Sequence, residues 1–119
     1  MSMENNQPRI HRVVGALDCG QVVNPNIVEQ QIQGGVIYAL CNALRAKITI
    51  EKGRVVQGNF DDYAPMRMNE VPAVEAYVVE STEPPTGTGE PPIPPLAPAI
   101  CNAMYAATKK RVRALPILG

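Results

Sequence analysis

The sequence predicts an α+β domain of two layers, with two helices packed on one face of a small mixed β-sheet. Three observations predict it. The elements alternate as strand, helix, hairpin, strand, helix. The longer helical stretch repeats apolar residues every four positions, whereas the strand stretches alternate apolar and polar ones. The chain has 119 residues, enough for one core, and is 45% hydrophobic but only 4% aromatic, so Val, Ile, Leu, Ala and Met must build that core. No internal repeat or second domain is visible. Residues 9–119 are expected to form the single domain, with residues 1–8 a loose polar tail.

The first strand is "RIHRVVGALDCG", in which Ile10 and Val13 stand among charged neighbours before the run turns apolar and ends at Asp18–Gly20. The first helix follows in "NPNIVEQQIQGGVIYALCNALRA". Asn24 suits the N-cap, and Pro25 suits the first helical position, where no amide hydrogen is needed. Ile32, Val36, Leu40 and Leu44 fall near one face. "AKITIEKGRVVQGNF" reads as a hairpin around Glu51-Lys52-Gly53. "DDYAPMRMNEVP" is a loop, and "AVEAYVVES" alternates as a strand. A Pro/Gly loop then leads to a second helix starting near Pro98, with Ile100, Met104 and Ala107 on one side and Pro116 as its stop.

Several function classes are excluded early. Eleven basic and eleven acidic residues balance, so no strong field draws in nucleic acid. The basic cluster Lys109, Lys110, Arg111 and Arg113 reads as helix-end charge. Cys19, Cys41 and Cys101 are too few and too scattered for a disulfide framework or a zinc site. His11 is the single histidine, which argues against a His-based metal site and a His-dependent catalytic unit. No metal ligand is expected in the chain. No apolar run is long enough for a membrane span, and "MSMENNQP" lacks a secretion pattern, so the expected compartment is the cytoplasm.

Two patterns stand out. "PPTGTGEPPIPPLAPAI" places one carboxylate, Glu90, among glycines and prolines. "GTGEPP" lacks the Lys-Ser/Thr ending of a P-loop and the third glycine of a dinucleotide fingerprint. Gly87 and Gly89 permit close approach of a ligand, and Pro91 and Pro92 restrict the chain after the acid. That is a suitable mount for a general base, although a solvated turn residue fits the composition as well. The second pattern is "QQIQGG". Gly34 and Gly35 cost a helix about 1 kcal/mol each relative to Ala, so close packing or a ligand must offset them. Gln31 beside them can both donate and accept hydrogen bonds, or simply face water.

Three stretches, "HRVVGALDCGQVVNPNIVEQQIQGGV", "NFDDYAPMRMNEVPAVEAYVVES" and "GTGEPPIPPLAPAICNAMYAATKKRVRALP", together resemble the C-terminal end of the molybdopterin-binding large subunit of the xanthine dehydrogenase/aldehyde oxidase family. The resemblance runs from Arg9 to Leu118. It implies an oxidoreductase that hydroxylates N-heterocycles or aldehydes, with Glu90 as general base at the molybdenum centre. It also implies that Gln31, Gly34 and Gly89 contact the molybdopterin. The cofactor would be shared with an upstream portion of the large subunit, so none is expected in the isolated chain. An iron–sulfur subunit would be the further partner. A stand-alone, non-catalytic module is the alternative. A domain separated from a large protein should bare apolar surface, so a homo-oligomer is expected.

Overall fold

The computed structural model describes residues 1–118, and it begins differently from the expected tail. Ser2–Glu4 (β1) and Gln7–Arg9 (β2) pair antiparallel, with Ser2 opposite Arg9. Asn5 and Asn6 take the left-handed conformation that a two-residue hairpin turn requires and that Asn tolerates. The polar composition of residues 1–8 concealed this hairpin, because it is mostly exposed and has no apolar alternation to betray it.

The remaining strands and α-helices are β3 (Arg12–Leu17), α1 (Pro25–Leu44), β4 (Ile50–Glu51), β5 (Arg54–Val55), β6 (Ala73–Val78) and α2 (Leu96–Thr108), with a short 3-10 turn at Met68–Glu70. The α+β class is as expected. The strands form three separate pairs: β1–β2, β3–β6 and β4–β5. β3 and β6 are parallel, with Arg12 opposite Ala73 and Leu17 opposite Val78. Parallel pairing follows from the long crossover between them, which contains α1. The β4–β5 hairpin turns through Lys52 and Gly53, both at positive φ, and carries exposed Ile50 and Val55.

The core lies between α1 and the β3–β6 pair. Val28, Ile32, Val36, Leu40 and Leu44 of α1 are buried, as the four-residue spacing predicted. Val13 and Leu17 from β3, and Val74, Ala76 and Val78 from β6, pack against them. α2 packs on α1 and adds buried Leu96 and Ile100 to the core. Ala107, expected on the same side, is exposed.

α2 ends at Thr108, well before Pro116. Lys109 adopts φ 61°, and its amide donates to the Tyr105 carbonyl at 2.8 Å. A left-handed residue just past the last turn terminates a helix without proline. The chain then returns to α1. The amides of Ile117 and Leu118 donate to the carbonyls of Ala43 and Leu44 at 2.9 and 2.8 Å, satisfying acceptors that a helix end leaves open. Arg111 stacks over the Tyr105 ring at 4.2 Å.

Beside the same end of α1, Arg45 donates to Glu70 at 2.8 Å, and Glu70 also accepts the Arg67 amide at 2.7 Å. These bonds hold the Glu70 carboxyl below its ordinary range, the Arg45 side chain contributing most. Among the described residues, no helix is long and apolar enough to cross a membrane. The three cysteines are free thiols.

Candidate functional site

The Pro/Gly loop is tied down at both ends. Beyond β3, Asp18 accepts the Gly20 amide at 3.1 Å, and Gly20 takes φ 74°. The turn so formed bonds the loop directly. The Gln21 amide donates to the Glu83 carbonyl (3.0 Å) and the Thr86 amide to the Cys19 carbonyl (2.9 Å). A Cβ on Gly20 would lie 2.2 Å from the Pro84 carbonyl oxygen, so only glycine fits.

At the other end, the Ile93 amide donates to the Glu90 carbonyl at 2.9 Å, and α2 begins three residues later. Pro92 presses on α1: a Cβ on Gly35 would sit 3.0 Å from the Pro92 Cβ. Close packing thus explains one glycine of the pair.

Residues 87–91 project between these anchors. Glu90 is exposed, and among the described residues its carboxylate makes no ion pair or hydrogen bond. The amides of Gly87, Thr88, Gly89 and Glu90 donate to no acceptor among the described residues. Gly89 approaches α1, since a Cβ built there would lie 3.9 Å from Gln31 Nε2. Gln31 is exposed, and its side-chain amide has no hydrogen-bond partner among the described residues. Gly34 lies one turn further along the same face and has nothing within 4 Å of its missing Cβ. The structure therefore brings Gln31 and Gly89 together, leaves Gly34 open beside them, and makes Gly35 the residue that holds the loop.

Sequence reasoning did not single out the rest of this face. Ile27 and Tyr38 share the helical face of Gln31 and Gly34, opposite the buried stripe, and are 55% and 62% exposed. That face is mixed, with two large apolar side chains on either side of Gln31 and Gly34. The signal was available: two large apolar side chains lie off the four-residue repeat. Next to Ile27, Val23, Thr86 and Thr88 border a hollow of about 310 Å³.

The second glycine yields a separate expectation. Gly34→Ala should stabilise the isolated chain by up to about 1 kcal/mol, because Ala favours helix and the site is open. A thermal melt reads this directly; a lower melting temperature would show that the added methyl group meets a neighbouring part of the chain.

The open face gathers an amide with a donor and an acceptor, several backbone N–H groups without a partner among the described residues, and open space at Gly34, groups of the kind that bond the edge of a heterocyclic ligand. It supplies one wall and does not enclose a ligand.

Comparison with known proteins points the same way. A sequence model of the molybdopterin cofactor-binding domain matches residues 2–72. The isoquinoline 1-oxidoreductase subunit beta of Brevundimonas diminuta is 36% identical over 108 residues, which cover 91% of this chain and 14% of that protein. A putative xanthine dehydrogenase molybdenum-binding subunit of Escherichia coli is 35% identical over 115 residues, covering 91% and 15%. The quinoline 2-oxidoreductase structure from Pseudomonas putida superimposes with a TM-score of 0.78 at 26% identity, over 92% of this chain and 15% of that one. The chain thus spans about a seventh of the length of these relatives. It belongs to the molybdopterin cofactor-binding domain family of the xanthine dehydrogenase/aldehyde oxidase type of molybdenum oxidoreductase.

Proposed function

We propose that this chain is the C-terminal cofactor-binding part of a molybdenum hydroxylase acting on N-heterocycles or aldehydes, with Glu90 as its general base. The observation that supports this most directly is the exposed, unpartnered Glu90 on a loop anchored at both ends beside Gln31 and Gly34. A base must be held in place yet remain free to accept a proton, and this mount meets both needs.

Gln31, Gly34 and Gly89 would hold the molybdopterin, Gln31 through paired hydrogen bonds and the glycines by permitting close approach. When bound, the cofactor supplies a Lewis-acidic metal and the two-electron chemistry. The Glu90 carboxylate would accept the proton that a hydroxyl nucleophile gives up as its oxygen attacks the substrate carbon. The Pro91–Pro92 pair limits the excursions of the loop, so little freedom is lost on reaction. The remainder of the large subunit and an iron–sulfur subunit complete the enzyme. The names of the relatives, which act on isoquinoline and quinoline, favour an aromatic N-heterocycle as substrate.

The test combines the purified chain with the remainder of a large subunit and measures molybdenum, pterin and heterocycle oxidation. The complex should retain cofactor and oxidise substrate, while the chain alone does neither. Equal cofactor retention and turnover without this chain would reject the proposal.

A further inference from the structure

The β3–β6 ladder leaves one edge of β3 unused. His11 O accepts from Ala73 N–H at 3.1 Å and Leu17 O from Val79 N–H at 2.9 Å. With the observed register, the odd-numbered residues of β3 bond to β6. The backbone groups of Arg12, Val14 and Ala16 therefore point the other way, and they have no partner among the described residues. A two-stranded parallel sheet is unusual by itself, because such sheets are normally larger and covered on both faces.

A groove of about 150 Å³ runs along this free edge. Residues 13–17 form one side, and Pro91, Pro92, Pro95 and Ala99 form the other. Every lining residue is apolar. The groove is too small for a helix, whose diameter is about 10 Å, but it can take alternate small side chains of a strand. The proline wall offers no amides to compete for that strand's backbone.

We infer that the free edge of β3 receives an extended strand from the remainder of a molybdenum-hydroxylase large subunit, with small uncharged residues facing the groove. This rests on the proposed reading of the chain as one part of such a subunit. In the isoquinoline 1-oxidoreductase subunit beta the matching 108 residues are only 14% of the protein, so the remainder is long enough to supply the strand. Main-chain hydrogen bonds would give affinity, and the groove would select the side chains. Because Pro91 and Pro92 directly follow Glu90, the docked strand also clamps the loop that carries the base.

The experiment uses the full chain and the isoquinoline 1-oxidoreductase subunit beta lacking its matching 108 residues. Hydrogen exchange at Arg12, Val14 and Ala16 should slow by about tenfold or more on mixing. Val14→Pro removes an outward amide without touching the β6 ladder, and edge strands tolerate proline. It should weaken association about tenfold or more while the chain melts as before. Ala99→Glu, at an exposed groove position, should weaken it similarly even if the proline variant fails to fold. No complex, unchanged exchange at the three amides, or unchanged affinity in the folded variants overturns the inference. Protection that appears in the chain alone and rises with its concentration assigns the edge to a second copy and overturns it too. Glu90→Gln should bind and protect like the native chain. Full turnover in that variant would reject the general base while leaving the strand docking intact.

Discussion

Replacing Glu90 with Gln in the assembled enzyme is expected to lower turnover by about 10²–10⁴-fold, the usual contribution of a positioned acid–base group. Gln nearly preserves the shape of Glu but cannot accept the proton at neutral pH. The loss should fall on kcat and kcat/KM alike, because an interaction of the transition state is removed. The fold should not change. Glu90 is exposed, and its side chain bonds to nothing among the described residues, so no buried partner is orphaned. The local turn uses the Glu90 carbonyl, which the substitution retains. Molybdenum and pterin content should therefore match the native complex. Steady-state kinetics with a heterocyclic substrate, alongside metal analysis, check this. Native turnover at native metal content would remove Glu90 from the reaction.

The second large effect concerns stability. Gly20→Ala should destabilise the chain by about 3 kcal/mol, from two independent causes. Its φ of 74° lies in the left-handed region, where a side chain costs about 1–2 kcal/mol. The added Cβ would also meet the Pro84 carbonyl oxygen at 2.2 Å and the Glu83 carbonyl oxygen at 2.7 Å. Those atoms belong to backbone that cannot rotate away, so the turn and loop must separate. The bonds from Gln21 to Glu83 and from Thr86 to Cys19 would go with them. A thermal melt should show a loss of roughly 10 °C or more. The Glu90 loop should also become more susceptible to proteolysis, since its first anchor is gone. An unchanged melt would mean that the turn relaxes at little cost.

Much of the fold was legible in the chain. The repeat Ile32, Val36, Leu40 and Leu44 located the buried face of α1, and alternation located β6. Lys52-Gly53 marked a hairpin. The N-terminal hairpin was not legible, because Ser, Glu and Gln carry no strand signal when one face is not buried. The end of α2 was missed for another reason: proline is a conspicuous stop, whereas a left-handed lysine leaves no mark in the sequence.

The candidate site divides in the same way. Local patterns drew attention to Glu90 on its glycine loop and to Gln31 beside a glycine pair but fitted a solvated turn and a solvated helix face as well; the roles of Glu90, Gln31, Gly34 and Gly89 were implied only by the family resemblance. Local patterns cannot tell which glycine of a pair is packed and which is open. That depended on where Pro92, nearly sixty residues away in the chain, comes to rest against α1. The free edge of β3 was equally invisible, since an edge is defined by the strand that fails to lie beside it. Periodicity and short-range sterics thus determined the buried stripe of α1, the strand β6 and the Lys52-Gly53 turn. Only the tertiary structure decided which groups meet and which remain unpartnered, because contacts between distant segments depend on how the whole core closes.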